Sequence, residues 1–246
     1  MTSFPPKREN EPRLWMQGIH DSRTSTTLTC LDIIIATLDS FTLPQGKHLI
    51  IWNPTAVKIW SQILQIARTN TQFCHDAATY CLERDQYNTR IKGIVDTARQ
   101  ELTEIFSYNP SISIKLMSSY GARTNLTNTS DIDFGILGNS TDPTDPTFWS
   151  ESKRLLTING YEDCGMMHGY MVYKKIVNGI EIEAKVRDAT KSASIVTLHD
   201  CLDALPVETQ NCITYIKFLL QNNPSTYTKF KSLVYSAYYT MNRDEI

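Results

Sequence analysis

The sequence predicts an α+β fold in which a small β-sheet is combined with helices from both ends of the chain. Apolar and polar side chains alternate over residues 131–137, which is the period of a half-buried strand. Two more alternating runs, 170–177 and 180–187, flank Asn178-Gly179, a dipeptide that favours the tight turn of a β-hairpin. Apolar residues recur with the period of a helix in three segments: 54–69, 71–106 and 198–241, the last interrupted at Asn222-Asn223-Pro224.

Composition and charge limit the classes of protein to consider. With 246 residues, 41% of them hydrophobic and 20% charged, the chain is expected to be globular, with one substantial domain or two small ones. The net charge of −2 argues against a broad, sequence-independent nucleic-acid surface, because such surfaces are strongly basic. Any contact with RNA is therefore expected to be local.

The same patterns bear on the compartment. The N-terminal stretch Pro5–Pro12 is polar and proline-rich, and the longest apolar runs are too short to span a bilayer. The six cysteines form no Cys-x-x-Cys pair and no zinc-type spacing with histidine. We expect free thiols, no membrane contact and a cytoplasmic location, with a nuclear one as the alternative. The sequence leaves the oligomeric state open.

Asp131 and Asp133 are the strongest candidates for chemistry. Successive side chains of a strand point to opposite faces, so these two carboxylates share one face while Ile132 and Phe134 point into the core on the other. Two like charges so close together stay ionised only if a cation sits between them. Mg²⁺, or Mn²⁺ in its place, prefers oxygen ligands together with substrate phosphates, and a pair of such ions can assist nucleotidyl transfer.

A phosphate-binding segment is expected just before this strand. The alternating residues of the run 112–116 predict a strand, and Gly121 after it allows the backbone to approach a triphosphate closely. Arg123 adds a fixed positive charge. The nucleotide-binding candidates in this part of the chain are Ser119, Gly121, Ala122, Arg123 and Ser130.

The segment from Ile112 to Leu137 resembles the signature of the DNA polymerase β-like nucleotidyltransferases, in which a strand, a Gly-Ser or Gly-Gly, a short helix and an Asp-x-Asp strand form the palm. The resemblance implies a small mixed sheet and metal-dependent transfer of a nucleoside monophosphate from an NTP to an acceptor hydroxyl, as in terminal RNA and poly(A) polymerases. Ala122 departs from the family pattern, which has Ser or Gly there. Thr124 or Ser119 could supply the missing hydroxyl.

The resemblance also implies a third carboxylate on a neighbouring strand. In the run 180–187, Glu181 and Glu183 lie on one face, and either could complete a catalytic metal site with Asp131 and Asp133. Glu183 is favoured because Glu-Ala-Lys-Val-Arg resembles a strand of the guanosine tetraphosphate synthetases, distant relatives of this palm. Glu183 follows Asp133 by about fifty residues, a spacing similar to that in RNA-terminal nucleotidyltransferases.

The chain is expected to divide into four regions: a flexible segment 1–13, a mainly helical region 14–106, the palm 107–190 and a C-terminal helical region 191–246. Only about sixty residues follow Glu183, so the helical domain that holds the base in this superfamily is expected to be built from both chain ends. Lysine and tyrosine side chains of the C-terminal helices could bind a triphosphate and stack on a base. Lys217 and Tyr235 are the candidates.

Three functions are compatible with these residues. The first is a nucleotidyltransferase that adds NMP to an RNA 3′ end, supported by the spacing of the three carboxylates. The second is the same chemistry on a small molecule or a protein hydroxyl, suggested by the short chain. The third is a non-catalytic, nucleotidyltransferase-like binding or scaffolding module, for which Ala122 is the main indication. Because all three carboxylates are present, the enzyme is favoured.

Overall fold

The computed structural model describes residues 25–42, 52–127, 131–138, 146–167 and 169–242. Within these ranges the chain forms eight helices and five strands. The helices are α1 (Ser25–Asp39), α2 (Pro54–Thr69), α3 (Thr71–Ile105), α4 (Ser118–Gly121), α5 (Pro146–Ile158), α6 (Ala189–Asp203), α7 (Val207–Leu220) and α8 (Pro224–Met241). The strands are β1 (Ser113–Met117), β2 (Ile132–Gly138), β3 (Glu162–Met167), β4 (Tyr170–Val177) and β5 (Ile180–Asp188).

The five strands form one mixed sheet in the order β1-β2-β5-β4-β3. β2 and β5 run parallel to each other, and the other neighbouring strands are antiparallel. Asn178 and Gly179 join β4 to β5 with φ angles of 50° and 81°, the left-handed conformation that a type I′ turn requires. This two-residue turn fixes the register of the hairpin, which pairs Lys174 with Glu183.

Two hydrophobic clusters stabilise the fold, and α3 contributes to both. The first half of α3 packs with α1, α2, α6, α7 and α8 through side chains such as Phe73 and Ala77. Its second half packs through Val95 and Leu102 against one face of the sheet, where Phe134 is fully buried. Helices from both ends of the chain, α1 and α2 together with α6, α7 and α8, therefore form one helical layer. The polar side chains of β2 and β5 occupy the face of the sheet that is opposite α3.

Polar residues at the ends of the helices position these layers. Asn53 accepts hydrogen bonds from the backbone N–H groups of residues 55 and 56 at the start of α2, and Asn70 accepts one from Phe73 at the start of α3. Asp188 is the last residue of β5 and also the N-cap of α6, where it accepts from the N–H of Lys191. The strand that carries Glu183 therefore leads directly into the helical layer.

The predicted fold class is confirmed, because a mixed sheet is combined with helices from both chain ends. The sequence pattern does not predict two features. β3 lies at the edge of the sheet with every side chain exposed, so it has no apolar–polar alternation. The helical segment predicted over 198–241 begins earlier, at Ala189, and is broken at Pro206, whose ring removes a backbone N–H donor.

Other expectations have mixed outcomes. All six cysteines are free, in agreement with the prediction. No helix in the described part of the chain combines the length and the apolar character needed to cross a membrane. The expected flexible segment 1–13 and the nucleotide-binding candidate Ser130 lie outside the described residues.

Candidate active site

The carboxylates converge where β2 and β5 run side by side. The parallel register places Asp133 directly opposite Glu183, and paired residues of neighbouring strands point to the same face of the sheet. Asp131 and Glu181 lie two residues earlier in their segments and therefore on that same face. Carboxylate oxygens of Asp131, Glu181 and Glu183 lie within 4.8 Å of one another. The structure thus brings both candidate glutamates to the site.

Two lysines are inserted among these carboxylates. The Lys185 ammonium donates a hydrogen bond to Asp133 Oδ1 at 2.7 Å and lies 2.9 Å from Glu183 Oε2. The Lys174 ammonium lies 2.7 Å from Glu181 Oε1 and 2.7 Å from Glu183 Oε1. The negative charge of the cluster is therefore compensated only in part, because four carboxylates share two ammonium groups.

The pKa values of two carboxyl groups shift in opposite directions. Burial raises the pKa of Asp131, and the neighbouring carboxylates of Glu183 and Glu181 raise it further. Burial also acts to raise the pKa of Glu183, but hydrogen bonds from Lys174 and Lys185 outweigh it, so the pKa of Glu183 is lowered. Of these two groups, Asp131 is therefore the one that gains more from an added cation.

Asp131, Glu181 and Glu183 form a donor set that fits a divalent metal ion. The set consists of carboxylate oxygens, which are the ligands that Mg²⁺ and Mn²⁺ prefer. Burial and, after it, repulsion from Glu183 and Glu181 raise the pKa of Asp131, and a bound cation would oppose both effects by favouring the charged carboxylate. Asp133, the other predicted metal ligand, has its Oδ1 atom engaged by Lys185.

The predicted phosphate-binding segment forms the short helix α4 and the turn after it. A Cβ atom at Gly121 would lie 2.7 Å from the carbonyl oxygen of Leu116, so glycine is required here for close packing against β1. The Ala122 side chain is fully buried in the helical cluster. The carbonyl of Ser119 accepts a hydrogen bond of 2.8 Å from the N–H of Thr124, which closes the turn.

Arg123 lies at the surface of this turn. Its φ angle of 52° places it in the left-handed region, which non-glycine residues seldom adopt. Its Nε atom lies 2.9 Å from Asp203 Oδ1 at the end of α6. Gly121 and Arg123 line a cavity of about 520 Å³ beside β1, together with Lys115 and Tyr120. The charge of Arg123 is thus shared with Asp203.

Replacing Gly121 by Ala should destabilise the protein by about 1–3 kcal/mol, because the new Cβ meets a backbone carbonyl that cannot rotate away. The matched control is Gly93→Ala in α3. A Cβ at Gly93 meets no atom within 4 Å, so this change should stabilise the protein by about 0.5–1 kcal/mol. Urea denaturation of both variants checks the pair. Equal midpoints for the wild type and Gly121→Ala would contradict the packing role of Gly121.

The helices α7 and α8 carry the buried Lys217 and the half-buried Lys231, and of these two lysines Lys231 is the one that lies near the carboxylates. Burial lowers the pKa of Lys231, while the carboxylate of Asp133 acts in the opposite direction, which places Lys231 within the field of the acidic cluster. Lys217 is 4% exposed and donates a hydrogen bond to the carbonyl of Thr124. Burial, followed by repulsion from Lys231 and Arg84, lowers the pKa of Lys217 to about 7. A nearby anion would stabilise such a group.

The predicted base-stacking residue Tyr235 lies beside Lys231 in α8. The Lys231 ammonium is 5.7 Å from the centroid of its ring, and His199 makes an edge contact with that ring at 6.1 Å. Burial is the main cause of the raised pKa of Tyr235, and smaller contributions come from Tyr227 and from the carboxylate of Asp133. Tyr235 therefore contacts Lys231 and His199 and lies within the field of Asp133.

Arg84 belongs to this cationic group, although no sequence motif indicates it. Its guanidinium is 3% exposed and donates to the carbonyl of Arg123 at 2.7 Å and to the hydroxyl of Thr214 at 3.1 Å. It thereby ties α3 and α7 to the turn after α4. The signal that could have identified it is its spacing from Tyr80, which places a charge on the apolar stripe of α3.

No protein-family model matches the chain, and no curated protein matches its sequence. Solved structures of similar fold include a Cid1 poly(U) polymerase bound to MgATP, with 17% identity, a TM-score of 0.45 and coverage of 61% of this chain and 48% of that chain. A Cid1 structure described for its RNA terminal uridylyl transferase activity has 17% identity and a TM-score of 0.46, and the match covers 61% of this chain and 47% of that chain. The conserved protein GrpB from Enterococcus faecalis has 17% identity and a TM-score of 0.42 over 61% of this chain and 93% of that chain.

The chain spans about half the length of the Cid1 structures that it matches. At these identities and TM-scores, the likeness concerns the fold and assigns no activity.

Proposed function

We propose that this chain is a metal-dependent nucleotidyltransferase that transfers a nucleoside monophosphate from an NTP to the 3′ hydroxyl of an RNA. One observation carries the proposal. The pairing of β2 with β5 gathers the carboxylates of Asp131, Glu181 and Glu183, and the half-buried Lys231 lies within the field of Asp131 and Asp133. An NTP with its divalent cation requires this combination, because carboxylates hold the cation and lysines hold the phosphates.

In this proposal, Asp131, Glu181 and Glu183 hold Mg²⁺ or Mn²⁺. When bound, the ion supplies positive charge that acidifies an attacking hydroxyl and neutralises phosphate oxygens. Glu183 remains ionised at neutral pH because hydrogen bonds from two lysines outweigh the effect of its burial on its pKa. Asp133 holds the Lys185 ammonium at the edge of the site. The reaction then needs no covalent enzyme intermediate, since positioning and charge stabilisation suffice.

The triphosphate is assigned to Lys217 and Lys231. A phosphate next to Lys217 favours the protonated ammonium and so raises a pKa that burial has lowered to about 7. Tyr235, which lies beside Lys231, is the proposed stacking surface for the base, an interaction worth about 1–3 kcal/mol. Ser119, Gly121, Ala122 and Arg123 remain candidates for contact with the nucleotide from the side of α4.

RNA is the proposed acceptor because the spacing of about fifty residues between Asp133 and Glu183 is similar to that in RNA-terminal nucleotidyltransferases. The net charge of −2 restricts RNA contact to a local surface near the 3′ end. A small molecule or a protein hydroxyl is the alternative acceptor for the same chemistry.

The proposal is tested by incubating the purified chain with each α-³²P-labelled NTP, Mg²⁺ or Mn²⁺, and a short single-stranded RNA. Label is expected to enter the RNA as 3′-extended products, and EDTA is expected to abolish the reaction. The matched control is the same RNA with a 3′-deoxy end, which lacks the attacking hydroxyl and should stay unlabelled.

The outcomes separate the alternatives. Metal-dependent binding of NTP without labelling of RNA would move the acceptor to a small molecule or a protein. Absence of NTP binding in the presence of either metal ion would contradict the proposal and favour a non-catalytic binding or scaffolding module, in which Lys174 and Lys185 stay paired with the carboxylates.

A further inference from the structure

The two lysines of the acidic cluster differ in burial, and therefore in how easily they can be displaced. The Lys185 side chain is 15% exposed, and its partners Asp133 and Glu183 are 7% and 10% exposed. The Lys174 side chain is 36% exposed, and its partner Glu181 is 39% exposed. Breaking a buried ion pair leaves an uncompensated buried charge, whereas an exposed pair contributes little. A cation that arrives from solvent can therefore replace Lys174 more easily than Lys185.

The positions of the two ammonium groups also differ. Lys174 contacts Glu181 and Glu183, which are two of the three carboxylates in the donor set for a metal ion. Lys185 contacts Asp133, which is not in that set, and the other oxygen of Glu183. Glu183 thus presents Oε1 to Lys174 and Oε2 to Lys185. It lies between two separate cation positions.

The charges of the cluster favour one added divalent cation. Four carboxylates and two ammonium groups give the cluster a net charge of −2. With one Mg²⁺ or Mn²⁺ bound and Lys174 displaced, the net charge is −1. A second ion would make the cluster net positive, even after Lys174 had left, before any phosphate is bound.

We infer that Lys185 takes the place of one of the two metal ions that nucleotidyl transfer ordinarily uses, so that the site binds a single divalent cation at Asp131, Glu181 and Glu183. This cation displaces Lys174. The inference rests on the proposed function, since it concerns the metal ion of that reaction. Lys185 supplies a fixed positive charge between Asp133 and Glu183 Oε2, the oxygen of Glu183 that Lys174 does not contact.

Binding of Mn²⁺ to the full chain without nucleotide tests the inference, by calorimetric titration and by electron paramagnetic resonance of the unbound ion. The wild type is expected to bind one Mn²⁺ per chain. Lys185→Met vacates the position between Asp133 and Glu183 and is expected to bind a second ion. Lys174→Met is expected to bind one ion about tenfold more tightly, because a positive charge next to that ion has been removed.

Two lysines of the same sheet provide matched controls. Lys175 follows Lys174 in β4 but pairs with Glu101, and Lys115 of β1 pairs with Asp200. Lys175→Met and Lys115→Met should bind Mn²⁺ as the wild type does. Circular dichroism establishes that each variant is folded. Should Lys185→Met fail to fold, the stoichiometry of the wild type decides between one ion and two.

Each outcome has a distinct meaning. Two Mn²⁺ ions per wild-type chain would overturn the inference and leave the proposed function intact. One ion in the wild type and one in folded Lys185→Met would overturn the role of Lys185 as a substitute cation. No binding of Mn²⁺ to the wild type would overturn both the inference and the proposed metal-dependent reaction.

Discussion

Replacing Asp131 by Asn should lower nucleotidyl transfer at least about 10³-fold, because a bound metal ion contributes several kcal/mol of transition-state stabilisation and each 1.36 kcal/mol is a factor of ten. The melting temperature at pH 7 should be unchanged or slightly higher. Burial and the carboxylates of Glu183 and Glu181 raise the pKa of Asp131, which means that the folded state disfavours its charged form. Asn keeps the shape of the side chain and removes that charge.

Transfer rates and thermal melts of the two proteins check this expectation. Asp163→Asn is the matched control, since Asp163 lies in β3 and pairs with Lys153 outside the acidic cluster. That variant should retain its transfer activity. Full activity in Asp131→Asn would exclude Asp131 from the metal site, and a large fall in its melting temperature would indicate a structural role instead.

Replacing Lys217 by Met should stabilise the protein and also weaken nucleotide binding. Burial, together with Lys231 and Arg84, lowers the pKa of Lys217 from 10.5 to about 7. Between about pH 7 and pH 10.5, the Lys217 side chain is protonated to a greater extent in the unfolded chain than in the folded chain. The penalty for the buried charge is therefore complete below pH 7 and is relieved as the pH rises toward 10.5.

The size of the effect follows from this shift. Lys217→Met should be more stable than the wild type by about 2–4 kcal/mol at pH 6, after the loss of the hydrogen bond to the carbonyl of Thr124 is subtracted. This difference in stability should disappear at pH 10. Affinity for NTP should fall about 10–100-fold, because a charge-assisted contact to phosphate is lost. Urea denaturation at both pH values and titration with NTP measure the two effects.

Lys229→Met is the matched control for Lys217→Met. Lys229 lies in α8, but its ammonium pairs with Asp39 at 3.2 Å. Its replacement should leave NTP affinity unchanged and should change stability little. Destabilisation of Lys217→Met at pH 6 would show that the fold tolerates this buried charge without penalty. Unchanged affinity would remove Lys217 from the phosphate site.

The fold could be predicted where local sequence determines the backbone. The hairpin of β4 and β5 is one example, because Asn178-Gly179 sets both the turn and the pairing that follows from it. Asn70, which ends α2 and caps α3, is another. β3 could not be predicted, because both of its faces are exposed to solvent and the residues Glu162–Met167 lack the apolar–polar alternation that identifies a strand.

The candidate site could be predicted only in part. Sequence reasoning places Asp131, Asp133 and Glu183 on strands, but the register of two parallel strands depends on how the connecting elements pack and not on a turn. The pairing of Lys174 with Glu183 does follow from the two-residue turn and could have been derived. The contact of Lys185 with Asp133 could not, since it depends on the parallel register.

Helix α3 has a consequence for how substrate meets the site. It has 35 residues and is therefore about 52 Å long at 1.5 Å per residue. The helix is embedded in both hydrophobic clusters, so the sheet with its carboxylates and the layer that carries Lys217 share one continuous support. The sheet and the layer that carries Lys217 cannot move apart without bending this helix or exposing half of it to water. The spacing between them is thus established during folding, and little conformational entropy remains to be lost when substrate binds.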